Sequence, residues 1–140
     1  ARRGRAARNK GANYERKIAE KFQERYDIEL RRTPQSGGFA YDSKRANEFR
    51  GDILPVESNV DMKLHIECKN QKTWQLRSWL EQAESDCPEG KIPMVVMHKP
   101  NTSKEYVVLD LEDFFKLVDK NKIFNIKGVT KKTLIKKIKR

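Results

Sequence analysis

Residues 92–99, with the sequence IPMVVMHK, form a nearly continuous apolar run in a chain in which 36% of the residues are charged. Such a run is typical of a β-strand that is buried on both faces, and a strand of this kind needs covering elements above and below its sheet. Apolar residues at helical spacing occur both before and after the run, and they supply those elements. The sequence therefore predicts an α/β fold, with a mixed central β-sheet flanked by helices.

The predicted order of elements is helix, extended loop, two strands, helix, two strands, helix. Helices are expected at 14–26, 73–86 and 111–121, with Asn13 and Asp110 as caps of the first and last. Strands are expected at 52–56, 64–70, 92–99 and 105–111, where the second strand is the hairpin partner of the first. Residues 34–51 lack a sustained period and read as a long loop. The length of 140 residues suits one domain.

Positive charge is concentrated at the two ends of the chain. Residues 1–12 carry five basic side chains and residues 121–140 carry eight, and neither segment contains an acid. Residues 13–120 hold 18 basic and 20 acidic side chains and are nearly neutral. We expect a flexible basic arm at 1–12, a folded domain at 13–120 and a basic C-terminal extension at 121–140. Two cationic arms favour binding to nucleic acid over binding to an anionic membrane or a purely solubilising role.

Other protein classes fit the composition poorly. The sequence has no apolar run near the roughly 20 residues that span a bilayer, and no segment typical of a signal peptide. Cys68 and Cys87 form neither a CxxC pair nor a Cys/His cluster, so a structural zinc site and a disulfide framework are not expected. We expect an intracellular, cytoplasmic protein that does not contact a membrane.

The segment LHIECKN, residues 64–70, is a strand with charges on one face. Side chains alternate along a strand, so Leu64, Ile66 and Cys68 are predicted to face the core, with Glu67 and Lys69 on the other face. Asp52 opens the preceding strand and should lie close to Glu67. Two neighbouring carboxylates suit a cation such as Mg²⁺, and a lysine beside them can orient a water or stabilise negative charge. By itself this pattern leaves open a solvated strand face.

Glu15 falls within the apolar stripe of the first predicted helix, one turn before Ile18. A carboxylate on the core-facing side of an amphipathic helix is unusual and indicates a functional role. A solvated first-turn Glu, favoured by the helix dipole, is the alternative. The helix alone leaves both interpretations open.

Taken together, these motifs resemble the PD-(D/E)XK nuclease signature. Gly51-Asp52-Ile53 followed by Ile66-Glu67-Cys68-Lys69 matches its two halves, and the chain more specifically resembles archaeal and phage-type Holliday junction resolvases. Glu15-Arg16 in the first helix, the Ser36-Gly37-Gly38 loop and the WLEQAES helix follow in the order of that family. The resemblance covers about residues 13–120 and implies a restriction-endonuclease-like fold. Gly51 stands where the family usually has proline.

The resemblance also implies roles for individual residues. The catalytic set would be Glu15, Ser36, Asp52, Glu67, Lys69 and Gln82, of which Asp52, Glu67, Glu15 and the carbonyl of Cys68 would hold Mg²⁺, with Mn²⁺ as a substitute. The resemblance to the resolvases implies a homodimer that cleaves branched double-stranded DNA at four-way junctions by paired nicks. Other DNA repair or replication nickases of the superfamily, and a DNA-binding protein without catalysis, are the alternatives. Asp42, Glu48 and Asp61 are rival carboxylates of lower rank.

Basic residues near the first helix and the long loop are candidates for contacts to DNA phosphates, which position DNA without reading its sequence. The DNA-binding candidates are Arg2, Arg3, Arg5, Arg8, Lys10, Arg16, Arg31, Arg32, Ser36, Lys44, Arg45 and Arg50. As a group they predict a steep dependence of binding on salt. Trp79 lies on an apolar helix stripe and is expected in the core, whereas Trp74 is open to a role in base stacking.

Overall fold

The computed structural model describes residues 2–33 and 51–127, with side chains described from Gly4 onward. Within it the chain forms two compact units, residues 1–110 and residues 111–140. The first unit contains α1 (Arg2–Tyr26), β1 (Leu30–Arg32), β2 (Ile53–Pro55), β3 (Leu64–Asn70), α2 (Leu76–Asp86), β4 (Ile92–His98) and β5 (Glu105–Val108). The second unit contains α3 (Leu111–Leu117) and α4 (Lys120–Ile123).

The central sheet is mixed, as the sequence predicts. Strand β4 lies in its middle, parallel to β3 and antiparallel to β5. Four successive residues of β4, from Met94 to Met97, are buried, because both of its edges are paired and both of its faces are covered. The expected α/β class with a restriction-endonuclease-like arrangement is confirmed.

Two hydrophobic clusters cover the two faces of this sheet. On one face, α1 packs Tyr14, Ile18 and Ala19 against alternate residues of β3 and β4, among them Ile66. On the opposite face, α2 packs Trp79 and Ala83 against Val95 and Met97 of β4. Trp79 is therefore a core residue, as expected. The alternation of β4 side chains explains how one strand supplies both clusters.

The hairpin expected between residues 52–56 and 64–70 is not formed. Strand β2 instead pairs with β1 in a separate antiparallel sheet, in which Leu30 lies opposite Pro55. Only the start of β2 reaches β3, where the Asp52 amide donates to the Ile66 carbonyl at 2.8 Å. The polar connection between the strands is long enough to let β2 leave β3 after this one contact. Asp52 consequently lies at the point where the two sheets meet.

Helix α1 begins at Arg2 rather than near Tyr14, so Asn13 is not its N-cap. The segment 2–12 is rich in Ala and Arg, which favour helix, and it contains no proline. This composition explains the extension. The Asn13 side chain instead accepts a hydrogen bond from the Arg16 guanidinium at 2.8 Å. Glu15 is thus in the middle of a helix, and the first-turn interpretation of this residue is wrong.

The helix predicted at 111–121 is divided in the second unit. Helix α3 ends at Leu117, and the Asp119 side chain caps α4 by accepting from the Asn121 amide at 2.9 Å. A local cap of this kind starts a new helix because it satisfies an otherwise unpaired N–H group. Residues 128–140 of the expected basic C-terminal extension lie outside the described residues. No helix in the described part of the chain has the length and apolarity needed to cross a membrane.

Candidate active site

Asp52 is held against the outer edge of β3 by its side chain as well as its backbone. Its Oδ2 atom accepts a hydrogen bond from the Cys68 amide at 2.6 Å. Gly51, directly before it, has a φ of +95°, which glycine adopts easily and proline cannot. The replacement of the family's usual proline by Gly51 therefore accompanies a different backbone turn into β2.

Glu67 lies on β3, one residue before Cys68, and is 7% exposed. Its Oε1 atom is 3.2 Å from Nε2 of His65, two residues earlier on the same face of the strand. The ring of His65 is fully buried, and in the described structure neither of its nitrogens has a hydrogen bond of good geometry. An added Cβ at Gly51 would lie 3.1 Å from Nδ1 of this ring. The His65 ring therefore lies between the turn that carries Asp52 and the Glu67 carboxylate, and it is close to both.

The electrostatics of Asp52 show that the carboxylates act on one another. Burial raises the pKa of Asp52 well above its usual range, and the charge of Glu67 raises it further. The hydrogen bond from Cys68 lowers it, Glu15 raises it, and Lys69 lowers it. A cation bound between buried Glu67 and partly buried Asp52 would relieve this repulsion. The face of β3 that carries Glu67 is accordingly not a solvated strand face.

Glu15 extends from α1 toward the same region and is 6% exposed. Its Oε2 atom accepts a hydrogen bond from Nε of Arg32 on β1 at 3.0 Å, and this ion pair is largely shielded from water. The charge of Glu15 still acts on Asp52. In this arrangement Arg32, predicted as a phosphate contact, has its guanidinium turned toward the carboxylate cluster.

Lys69 and Gln82 are brought together as the resemblance implies. The ammonium group of Lys69 lies 3.5 Å from Oε1 of Gln82 on α2, at the outer limit of a hydrogen bond. The same group lies 6.0 Å from the centre of the Trp79 ring, within the range of a cation–π contact. Lys69 and Glu67 are nevertheless on the same face of β3, with Lys69 nearer its carboxyl end.

The donor atoms at this edge suit a hard divalent cation. The Cys68 amide points to Asp52, and in an extended strand the carbonyl of the same residue points to the same side. Asp52, Glu67 and this carbonyl are oxygen donors, which Mg²⁺ prefers together with waters. Among the described side chains no group of three or more His, Cys, Asp or Glu residues could hold an ion. The chemistry of the three oxygen donors fits an ion held by two carboxylates, a backbone carbonyl and water.

Several predicted residues lie elsewhere or outside the described residues. Of the DNA-binding candidates, Arg5, Arg8, Lys10 and Arg16 are exposed along α1, and Arg31 is exposed beside Glu29. Asp61 pairs with Lys63 at the surface, away from Asp52. Residues outside the described part are Ser36, Asp42, Lys44, Arg45, Glu48 and Arg50, together with the side chains of Arg2 and Arg3.

Sequence reasoning did not anticipate the contacts of His65 with Glu67 and of Arg32 with Glu15. The position of the His65 ring depends on the conformation of Gly51, which no sequence period reports. The pairing of Arg32 with Glu15 joins residues 17 positions apart on different elements. A charged residue on an otherwise apolar helix stripe was the available signal that Glu15 needed a buried cationic partner.

Comparisons with known proteins address the family. A family model described as "Phage putative PDDEXK endonuclease" matches residues 6–139, nearly the whole chain. Neither the curated proteins nor the solved structures gave a significant match. The match confirms the predicted place in the PD-(D/E)XK superfamily, while the closer resemblance to junction resolvases stays a prediction. With Asp52, Glu67 and Lys69 in the geometry described above, the chain belongs to this family of phage PDDEXK endonucleases.

Proposed function

We propose that the protein is a divalent-metal-dependent DNA endonuclease that cleaves four-way junctions by paired nicks. The observation that carries the proposal is the pair of repelling carboxylates at the edge of β3, partly buried Asp52 and buried Glu67, with Lys69 two residues further along the strand. A carboxyl group with a strongly raised pKa, such as Asp52, beside a second carboxylate and a lysine is a pattern of catalytic sites. The family gives the reaction class, and the junction substrate is supported by the resemblance to resolvases.

The proposed resident ion is Mg²⁺, with Mn²⁺ as a substitute, held by the carboxylates of Asp52 and Glu67 and the carbonyl of Cys68. When bound, it would polarise the phosphate and lower the pKa of a water molecule. The Cys68 amide keeps one oxygen of Asp52 fixed, and His65 limits the movement of Glu67. Both carboxylates are thereby oriented before substrate binds.

Lys69 supplies the positive charge of the proposed catalytic set. Its ammonium group contacts Gln82 and the Trp79 ring on the face of β3 that carries Glu67. There it can orient the attacking water or stabilise the charge that develops on the phosphate oxygens. Glu15 forms a partly buried ion pair with Arg32, and its charge acts on Asp52.

Exposed basic residues on α1 are the proposed contacts to the DNA backbone. Arg5, Arg8, Lys10 and Arg16 lie on the same helix as Glu15, so phosphates bound along α1 would lead toward the site. Contacts of this kind bind without reading sequence and weaken as salt increases. Paired nicks require two active sites, so a homodimer acting on branched double-stranded DNA is part of the proposal.

The test is cleavage of a synthetic four-way junction beside a linear duplex of the same sequence, with Mg²⁺, Mn²⁺ or EDTA. We expect symmetric paired nicks in the junction alone, and none in EDTA. Cutting of both substrates at equal rates would favour a general nuclease of the superfamily. Tight binding without cutting in either metal would favour the non-catalytic alternative.

The variant Glu67→Gln should lose cleavage and retain junction binding, because the amide keeps the size of the side chain and removes its charge. Glu57→Gln is the matched control, since Glu57 is exposed in the connection after β2. Loss of both binding and cleavage in Glu67→Gln would mean that Glu67 supports the fold rather than the reaction. Equal cleavage by both variants would remove Glu67 from the catalytic set.

A further inference from the structure

A groove lies at the carboxyl end of β3 and β4, separate from the carboxylates of Asp52 and Glu67. It has a volume of about 320 Å³, within the range of small-molecule sites. Its walls come from the segment between β3 and α2 and from the connection between β4 and β5. The lining residues are Trp74, Lys99, Thr102, Ser103, Lys104 and Tyr106.

The β4–β5 connection that forms one wall is held in place by several hydrogen bonds. The Thr102 amide and hydroxyl both bond to the Lys99 carbonyl, at 3.2 and 2.7 Å, and Asn101 has a φ of +67°. Pro100 before a left-handed residue is the pattern of a type II turn. The buried His98 donates from Nε2 to the Thr102 carbonyl at 2.7 Å. The wall is therefore organised before any ligand arrives, which favours binding.

The groove combines three kinds of groups that recognise a nucleotide. Trp74 and Tyr106 meet edge to face with their ring centres 5.7 Å apart, so they do not stack on each other, and Tyr106 is 47% exposed. Lys99 and Lys104 are exposed at the rim, and the lining contains no acidic side chain. Aromatic surface stacks on any base, lysines contact phosphates, and hydroxyl groups donate or accept hydrogen bonds.

The other described cavities lack this combination. The groove along the end of α1 includes Glu24 among its walls, which disfavours a phosphate. The groove between α1 and the ends of β3 and β4 is polar and basic, but its one aromatic ring, Tyr14, is buried against His98. Of these three grooves, the groove of Trp74 and Tyr106 is the one that combines exposed aromatic surface and lysines with walls free of acidic side chains.

The groove also lies at the same end of the sheet as Lys69. Strands β3 and β4 are parallel, and Lys69 pairs in register with Met97, one residue before His98. The Gln71 amide donates to the His98 carbonyl at 3.0 Å, which ties the chain leading to Trp74 to the end of β4. The segments that follow both strands thus build the groove just beyond the proposed catalytic lysine.

We propose that this groove binds one unpaired nucleotide of a single-stranded DNA segment, with its base on Tyr106 and Trp74 and its phosphate between Lys99 and Lys104. This inference rests on the proposed function for the identity of the ligand as DNA. It adds a preference that the carboxylate site cannot provide, because duplex DNA keeps its bases stacked and unavailable. Substrates with unpaired nucleotides near the cut would gain affinity from this subsite.

Tryptophan fluorescence of the full chain in EDTA tests binding without cleavage. Trp74 lines the groove and Trp79, the other tryptophan, is buried, so a base stacked in the groove should quench Trp74 alone. We expect quenching with an oligothymidylate, and much less with a blunt duplex or with an abasic oligonucleotide of the same length. Trp74→Phe should remove the quenching. Equal quenching by the abasic oligonucleotide would overturn the stacking proposal.

Affinity for the same oligonucleotide tests the role of Tyr106. Tyr106→Ala should weaken binding about 10-fold, in line with the loss of one stacked base, while duplex affinity is unchanged. Tyr106→Phe should restore affinity because it keeps the ring. Val107→Ala is the matched control, since Val107 is the next residue of β5, points to the opposite face and is 55% exposed.

Two outcomes would contradict the subsite: unchanged affinity in Tyr106→Ala, or equal losses for single-stranded and duplex DNA. The two proposals fail separately. A protein that cuts no junction but binds the oligonucleotide through Tyr106 would retain the subsite and lose the proposed function. A protein that cuts junctions while Tyr106→Ala leaves both affinity and fluorescence unchanged would retain the function and lose the subsite.

Discussion

Strands β3 and β4 are parallel neighbours of equal length, paired residue by residue from Leu64 and Ile92 to Asn70 and His98. Both are largely buried, but they bury different chemistry. At their centres Glu67 pairs in register with Val95, and the two side chains are 7% and 0% exposed. Strand β4 contributes apolar side chains to the core, whereas β3 carries a charged side chain, Glu67, that is nearly as buried as Val95.

The position of each strand explains the difference. Strand β4 has a paired neighbour on each side, so apolar contacts surround it and stabilise the unit. The outer edge of β3 meets only the start of β2. There the Asp52 carboxylate accepts the hydrogen bond from the Cys68 amide that a backbone carbonyl of a neighbouring strand would otherwise accept. Charges at an edge of this kind remain accessible to a cation and to substrate. Strand β4 is therefore expected to contribute mainly to stability and β3 mainly to the proposed activity, and four substitutions test this difference.

The largest effect is expected from Val95→Asp, which gives β4 a buried charge without a partner. Such a charge should lower the free energy of unfolding by more than about 5 kcal/mol, comparable with the whole stability of many domains. The variant should therefore be unfolded by circular dichroism and in its urea unfolding curve. Val95→Ala, a cavity control, should remain folded. A folded Val95→Asp protein would show that β4 tolerates charge as β3 does.

The next effect concerns the turn that brings Asp52 to β3. Gly51→Ala should lower the free energy of unfolding by about 1–3 kcal/mol, since Gly51 has a φ of +95° and the new Cβ would meet His65 at 3.1 Å. Gly90→Ala is the control, because Gly90 has a φ of +86° but no atom within 4 Å of an added Cβ. Urea unfolding should show the smaller loss for Gly90→Ala. Equal losses would exclude the contact with His65 as a cause.

A stabilising effect is expected at Asp52 in the metal-free protein. Its raised pKa means that the native carboxyl binds a proton more tightly than the unfolded chain does. The contribution of Asp52 to the free energy of unfolding is therefore fully present below the ordinary carboxyl pKa, about 4, and is lost as the pH rises through the native value. Asp52→Asn removes this loss and should be more stable than the wild type at pH 8 by at least about 1 kcal/mol.

Urea unfolding in EDTA at pH 4.5 and pH 8 measures this difference. Asp61→Asn is the control, because Asp61 is exposed and its hydrogen bond with Lys63 lowers the pKa of its carboxyl. That variant should gain no stability at pH 8. Adding Mg²⁺ should stabilise the wild type and leave Asp52→Asn unchanged. The same stability for the wild type and Asp52→Asn at pH 8 would contradict a repelling carboxylate pair.

The smallest effect on stability is expected from Lys69→Met, which makes β3 resemble β4 at the position paired with Met97. Lys69 is partly exposed, so the free energy of unfolding should change by less than about 1 kcal/mol. Junction cleavage should nevertheless fall at least about 100-fold, because a positioned charge is lost. Lys72→Met, at an exposed position after β3, should leave cleavage unchanged. Cleavage by Lys69→Met at the wild-type rate would remove this lysine from the reaction.

Local patterns in the sequence were sufficient for some elements and not for others. The apolar run of β4 and the alternation of β3 predicted both strands, since side-chain period depends on the backbone of one segment. The pairing of β2 with β1 was not predicted, because register between distant segments depends on how β2 leaves β3 after Asp52. The start of α1 was also missed, since Asn13 resembled a cap while the preceding residues favoured helix.

The sequence by itself determined the α/β class and the central buried strand, which follow from periodicity and residue type, both local properties of the chain. The family resemblance added the prediction that Glu15, Asp52, Glu67 and Lys69 form the site, which the local patterns alone left open. Only the tertiary structure decided that Asp52 accepts a hydrogen bond from the Cys68 amide and that Glu15 pairs with Arg32. It also decided that Trp74 and Tyr106 share a groove. Each of these joins distant segments, and burial then sets the pKa of Asp52, because the environment of a charge belongs to the fold rather than to the residue.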